Sequence, residues 1–419
     1  MKKIFFCAAL SAVVLASCTD SNTVDPGSTP PTVQEGVSGL VSGVWKKGST
    51  YKITGHVQVP AGKSLTIEEG VTVLMSDSTV KPEFVIQGNL YSLGTAQAPV
   101  KFTVPDAWKT AKNEFGGLWG GLVAANTTTE VVLQNTILEY GGATTTEASP
   151  SVKAQLYKAA AGERIPALYF ANMTGQLVVT NSTVRNFYED GFYLEGGKMI
   201  IANNSFYTTG IANGDAINVK SGVVADVAFN VIYSPNTNGL KLSNSGDRAT
   251  QAYVIGYNNT ILNAGWRRPT TKGGSIWLEK GVRADLYNNL LANDRFGIKR
   301  DKGNKEDERS KISNNFYFGA SQDAVTNFQP SSEIIAGAND VISKTVGEND
   351  PKFVNYPLNT DMKNATFNTA WDFSLQAGSP AMGKGTTTFT RNYASGLTLN
   401  GVTYKSPEPT TTIGARGTK

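Results

Sequence analysis

Five residues that could meet a sugar stand in five similar settings: Tyr193, Asn218, Lys241, Trp277 and Lys299. Each lies inside a short alternating apolar run, and alternation turns all five outward on the same side. Tyr and Trp offer flat faces to sugar rings, while Lys and Asn donate to hydroxyls or carboxylates. Two residues further on runs a companion column of Glu195, Lys220, Ser243, Glu279 and Asp301. An insertion before the Trp277 run brings Trp266, Arg267 and Arg268, which are expected to close over the same face. The chemistry this suits is binding of an acidic polysaccharide, with Tyr193, Asn218, Lys241, Trp266 and Trp277 as the contacts.

Catalysis would ask more of the same residues. A β-eliminating lyase needs a base near the proton α to a uronate carboxylate and a cation to neutralise that carboxylate. Lys241 or Lys299 is the candidate base, and Arg267 or Arg268 the candidate neutraliser. Glu189, Asp190 and Asp215 fall near chain corners one repeat apart and form a candidate calcium set; no other cofactor is required. Glycoside hydrolysis needs two carboxylates facing one cleft, and Asp190 with Asp215 is the pair to nominate. Enzyme or binder is left open, with a lyase ahead of a hydrolase. A structural or adhesive surface rod, in which outward Lys, Glu and Tyr only solvate a sheet, needs none of these roles.

These columns require elements that repeat. Asparagines recur at 135, 181, 204, 230, 259, 289 and 315, with steps of 46, 23, 26, 29, 30 and 26 residues. The first step is two of 23. A coil of three short strands with turns needs just over twenty residues, and loop insertions account for the excess. Asn tolerates the left-handed region and can bond to its neighbours in a stack. The apolar runs share the same phase, so Phe192, Ile217, Leu240, Ile276 and Ile298 are expected as one inward column. The expected fold is all-β: a right-handed parallel β-helix. A solenoid also escapes the size limit of a single core, because each repeat contacts only its neighbours. Lys153 to Arg164 has helix-forming composition and is expected as a short helical insertion, a candidate groove wall.

Composition removes other classes. The only cysteines are Cys7 and Cys18 and the only histidine is His56. A disulfide framework, a thiolate zinc site or a His-rich metal site is thereby excluded from a chain cut at Cys18. His56 sits in an early strand pattern. The net charge of +4 shrinks when Lys2 and Lys3 leave with the amino-terminal segment, and no long basic run accompanies it, so no nucleic-acid partner is expected. A monomer is expected.

Lys2 and Lys3 precede an apolar run, Ile4 to Val14, too short to span a bilayer. It ends in Leu15-Ala16-Ser17-Cys18, which resembles the lipobox of bacterial lipoproteins. The resemblance implies a signal peptide over 1–17 and lipidation of Cys18. It places the protein in the cell envelope as an outer-membrane lipoprotein and a candidate for surface exposure, with the membrane as partner through the lipid. Residues 18–36, polar and rich in Pro, Ser and Thr, are expected as a tether.

The stretch 51–73 (YKITGHVQVPAGKSLTIEEGVTV) and Gly116 to Val123 (GGLWGGLV) resemble the first coils of bacterial surface β-helix proteins in the pectin-lyase-like superfamily. Asp350 to Val354 (DPKFV) and Asp372 to Gly385 (DFSLQAGSPAMGKG) resemble that group's closing segment, with Ile413-Gly-Ala as its final strand. The resemblance implies one β-helix domain over 37–419, closed by a segment from about 320, and speaks for fold rather than activity.

Overall fold

A computed structural model describes residues 30–270 and 272–419 of the chain. The stretch expected as a signal segment, Cys18 and most of the expected tether lie outside these residues. Pro31–Lys419 forms one compact unit, and no helix among the described residues is long and apolar enough to cross a membrane. The first strand, Val33–Leu40, begins inside the stretch expected as tether and pairs in parallel with Thr50–Val59, so the ordered solenoid starts before residue 37.

The architecture is the expected right-handed parallel β-helix. Each complete coil contributes three short strands. In one coil they are Phe192–Leu194, Gly197–Ala202 and Ser205–Tyr207, and each pairs in parallel with its counterpart in the next coil. Strands this short alternate inward apolar with outward residues, so stacking coils builds a continuous core. The inward column Phe192, Ile217, Leu240, Ile276 and Ile298 is buried. Near the amino-terminal end the core is aromatic, with Trp45, Phe84, Phe102, Trp119 and Phe187 in contact one after another.

The asparagine repeat resolves into two neighbouring stacks. Asn204, Asn230, Asn259, Asn289 and Asn315 point inward and are fully buried. Each Nδ2 of the first four donates to Oδ1 of the next at 2.9–3.0 Å. Their Oδ1 atoms, from Asn230 on, also accept the preceding asparagine's main-chain N–H. The residue before each ladder member usually takes positive φ and faces outward, as at Asn203, Asn258, Asn288 and Asn314. An amide tolerates that conformation at lower cost than most side chains.

The predicted helical insertion is mostly not helical. A short helix, Pro150–Lys153, ends where the insertion begins, and within the insertion there is a single 3-10 turn, Tyr157–Ala159, with positive φ at Gln155, Tyr157 and Lys158. Tertiary packing overrides propensity here. The backbone kinks so that Leu156 and Tyr157 can bury beside Tyr169, with the Tyr157 ring edge-on to Tyr193.

The closing segment covers two of the solenoid's three faces. Phe353–Asn355 and Asp372–Leu375 pair antiparallel, and Phe353, Tyr356 and Phe373 bury Tyr233, Leu262 and Phe316 on one face. The hairpin Leu397–Leu399 with Val402–Tyr404 lies over Tyr91, Val132, Val178 and Ile200 on a second. Ile413 is buried but belongs to no strand, contrary to the expectation from sequence.

Asp226 pins this segment. Its buried carboxylate accepts from Asn392 N (3.1 Å), Tyr393 N (2.8 Å) and Ser406 Oγ (2.5 Å). Asp226→Ala strips three donors of one acceptor and is expected to cost about 3 kcal/mol. Limited proteolysis should then cut the segment around 389–406 well before the coils. Unchanged cleavage there would refute the pinning role.

Candidate functional site

Parallel register stacks the five sugar-type residues as expected: Tyr193 on Asn218, Asn218 on Lys241, Lys241 on Trp277 and Trp277 on Lys299. Coils repeat every 4.8 Å or so, which makes the column about 19 Å long. All five line one cavity of about 700 Å³, within the usual size of a small-molecule site. The face is bounded rather than endless. Toward the amino terminus the same outward column becomes Val85, Val123 and Tyr169, capped by Leu156, Tyr157 and Ile165. At the other end Ile334 bridges to Lys299, and Glu333 beside it pairs with Lys299 at 3.3 Å.

The insertion before Trp277 is split by its folding. Arg268 lines the cavity, its Nη1 donating to Thr237 Oγ1 at 2.8 Å. Arg267 turns the other way. Its guanidinium donates to the main-chain oxygens of Thr209, Gly210 and Ser234, at 2.8–3.0 Å for the closest contacts, and lies over the Phe115 ring. A guanidinium spent on three carbonyls is a loop anchor, so the neutraliser role expected of Arg267 is not supported by its position. Trp266 also packs away, with Nε1 on Asn293 O at 2.6 Å and its ring under Arg295; it is not among the cavity-lining residues.

Glu189, Asp190 and Asp215 do reach the cavity wall. Among the described residues no three His, Cys, Asp or Glu side chains form a metal-holding group. The oxygens of Asp190 already accept from Asp215 N and Asn218 Nδ2, both at 2.8 Å, and Asp215 Oδ1 accepts from Asn238 N and Nδ2. Asp190 and Asp215 stack on one corner, one coil apart. His56 is likewise occupied, Nδ1 accepting from Glu83 N at 3.2 Å.

Electrostatics give the groove its character. Burial, then the Asp215 and Glu189 carboxylates, push the Asp190 carboxyl up to about 8. Burial likewise raises Asp215 and Glu189. These acids shift toward the neutral form, while Lys158, Lys220, Lys241, Arg268, Lys272 and Lys299 surround the same space. Burial and the Lys241 ammonium depress Lys220, whose Nζ sits 5.3 Å from the Tyr193 ring centre. Lys299 lies 4.1 Å from the Phe296 ring centre, and Trp277 Nε1 donates to Glu279 at 2.8 Å.

Sequence reasoning placed Lys220 in the companion column without a role and did not nominate Phe296. Lys220 was legible, being two residues beyond Asn218 in an alternating strand. Phe296 and Glu333 come from loops, whose direction no periodicity reveals.

Residues 40–374 match the family model described as a pectate-lyase like β-helix domain. The chain belongs to that family. Comparison with curated proteins gave no match. In this pectate-lyase-like β-helix, the open groove therefore has to be read from its own residues.

A pH dependence follows from those shifts. Below pH 7 Asp190 is protonated and adds no charge. As pH rises through about 8 it ionises, and Lys220 loses its proton earlier than an ordinary lysine. Both changes make the groove more negative. Affinity for a polyanion should fall about fivefold from pH 6 to 9, on the order of 1 kcal/mol for one added charge. Titration calorimetry across that range checks it, and Asp190→Asn should flatten most of the slope. Affinity that rises with pH would contradict the assignment.

Proposed function

We propose that this is a lipid-anchored cell-envelope β-helix protein whose open groove binds an acidic polysaccharide. The observation that carries the reading is the in-register column from Tyr193 to Lys299 lining one cavity, with Arg268 and Lys220 beside it. Half-buried lysines there can meet carboxylates, and Trp277 with Phe296 can meet the apolar faces of sugar rings. Cys18 is proposed to carry the lipid, with residues 19–32 as the spacer. The test is titration of Pro31–Lys419 with a uronic-acid polymer and a neutral glucan at two salt concentrations. Salt-sensitive binding of the uronate alone supports the reading; silence toward both leaves a structural or adhesive rod.

A second reading, β-elimination, is favoured by one observation: the depressed Lys220 amine lies against Lys241 and lines the cavity. A lysine whose proton is held less tightly than usual can serve as a base, with Lys241 or Arg268 holding the carboxylate. Ultraviolet absorbance of an unsaturated product, growing with time and lost in Lys220→Met, supports it. Binding without product rejects it and leaves the binding reading standing.

A further inference from the structure

The outer edge of one stack of turns carries asparagines at positive φ: Asn135, Asn181, Asn203, Asn258, Asn288 and Asn314. Where the closing segment crosses the last three, their amides hold its main chain. Asn258 Nδ2 donates to Thr412 O at 2.8 Å, and Asn314 Nδ2 to Lys384 O at 2.7 Å. Asn288 both donates to Thr386 O and accepts from Thr386 N, each at 2.8 Å. In this molecule the stack is a rail for extended polypeptide.

The segment leaves the rail at Ala415, whose N–H bonds Thr260 Oγ1 at 2.9 Å. In the intervening coil Phe229 replaces asparagine and packs on Tyr257. Beyond that break the rail is open, as a recess of about 490 Å³ lined by Asn135, Asn181, Asn203, Thr183, Ser205 and Arg416 among others. Asn135 is spent on Gly94 O, whereas the Asn181 and Asn203 amides have no partner among the described residues. Arg416 touches Ser205 Oγ at 3.1 Å and pairs with no carboxylate among those residues.

We propose that this recess docks an extended, acidic polypeptide segment of another molecule. Free amides at Asn181 and Asn203 would read its main chain, as their counterparts read the closing segment, and Arg416 would take a carboxylate. From the Ala96 turn to Asn203 is three coil steps, about 14 Å, which four or five extended residues span. No aromatic ring lines the recess, which separates it from the sugar-type groove and favours peptide over glycan. The inference does not depend on what the groove binds.

The test uses the full chain and two fluorescent capped decapeptides, one alternating aspartate with threonine and one alternating lysine with threonine, followed by anisotropy. The acidic peptide should bind and the basic one should not. Arg416→Gln should weaken binding about tenfold, as should Asn181→Gly with Asn203→Gly, in keeping with loss of a charge-assisted bond. Glycine keeps the positive-φ backbone unstrained, so these variants fold. Lys241→Ala should change nothing. No binding, indifference to Arg416→Gln and the glycine pair, or a loss confined to Lys241→Ala would overturn the proposal. So would displacement from the recess by an acidic oligosaccharide.

Discussion

Replacing Asn259 with alanine is expected to destabilise the protein by about 4 kcal/mol, the largest loss for a single buried side chain outside the apolar core. Its Nδ2 donates to Asn289 Oδ1 and Val227 O, each at 2.9 Å, and its Oδ1 accepts from Asn230 N and Nδ2. Deleting the amide strands partners on both sides where water cannot replace them, at about 1–3 kcal/mol for each buried group left unpaired, with incomplete additivity. The position is central, so the damage reaches the coils above and below. Because coil contacts are nearest-neighbour, a break there should also split the unfolding transition. Chemical denaturation gives the magnitude, and hydrogen exchange should show earliest opening at coils 227–233 and 286–292. Asn181→Gly, one stack outward and without partners, is the control and should cost under about 1 kcal/mol. A near-neutral Asn259→Ala would mean that the ladder sets register without holding the fold.

The second large effect concerns the groove. Lys241→Ala with Lys299→Ala should weaken binding of a uronic-acid polymer about 100-fold. Each lysine faces an acid as well as the groove: Lys241 Nζ is 3.9 Å from Glu279, and Lys299 Nζ is 3.3 Å from Glu333. Removing either lysine therefore loses an attraction and uncovers a repulsion, about 1.4 kcal/mol in all for each half-buried lysine. The salt dependence should fall with it. Glu279→Gln should move affinity the other way, by a few fold, while Trp277→Ala should weaken the uronic-acid polymer without changing its salt dependence, as loss of a stacking platform requires. A loss in the lysine pair that leaves the salt dependence unchanged would indicate lost packing rather than lost charge.

Much of the scaffold was legible in order of residues alone. A 23-residue coil with period-2 alternation has one stable outcome, because a slip of one residue would turn Phe192, Ile217 and Leu240 from the core to water. That constraint also fixed the column of Tyr193, Asn218, Lys241, Trp277 and Lys299, and the stacking of the asparagines. The ladder's division of labour was less visible. In Asn203-Asn204 or Asn258-Asn259, only the backbone φ tells which amide faces inward.

What the sequence could not decide lies wherever direction depends on distant partners. Arg267 and Arg268 are adjacent in a loop without periodicity; three carbonyls from 209–234 capture the first and leave the second at the groove. Lys153 to Arg164 has helical propensity worth a few tenths of a kcal/mol per residue, and burial of Leu156 and Tyr157 outweighs it. Glu189, Asp190 and Asp215 meet the cavity as spaced, but which donors the Asp190 oxygens accept from is set by the neighbouring coil. Above all, a repeating solenoid offers three outward faces that look alike in sequence. The closing segment, packing across two of them, determines which face stays open.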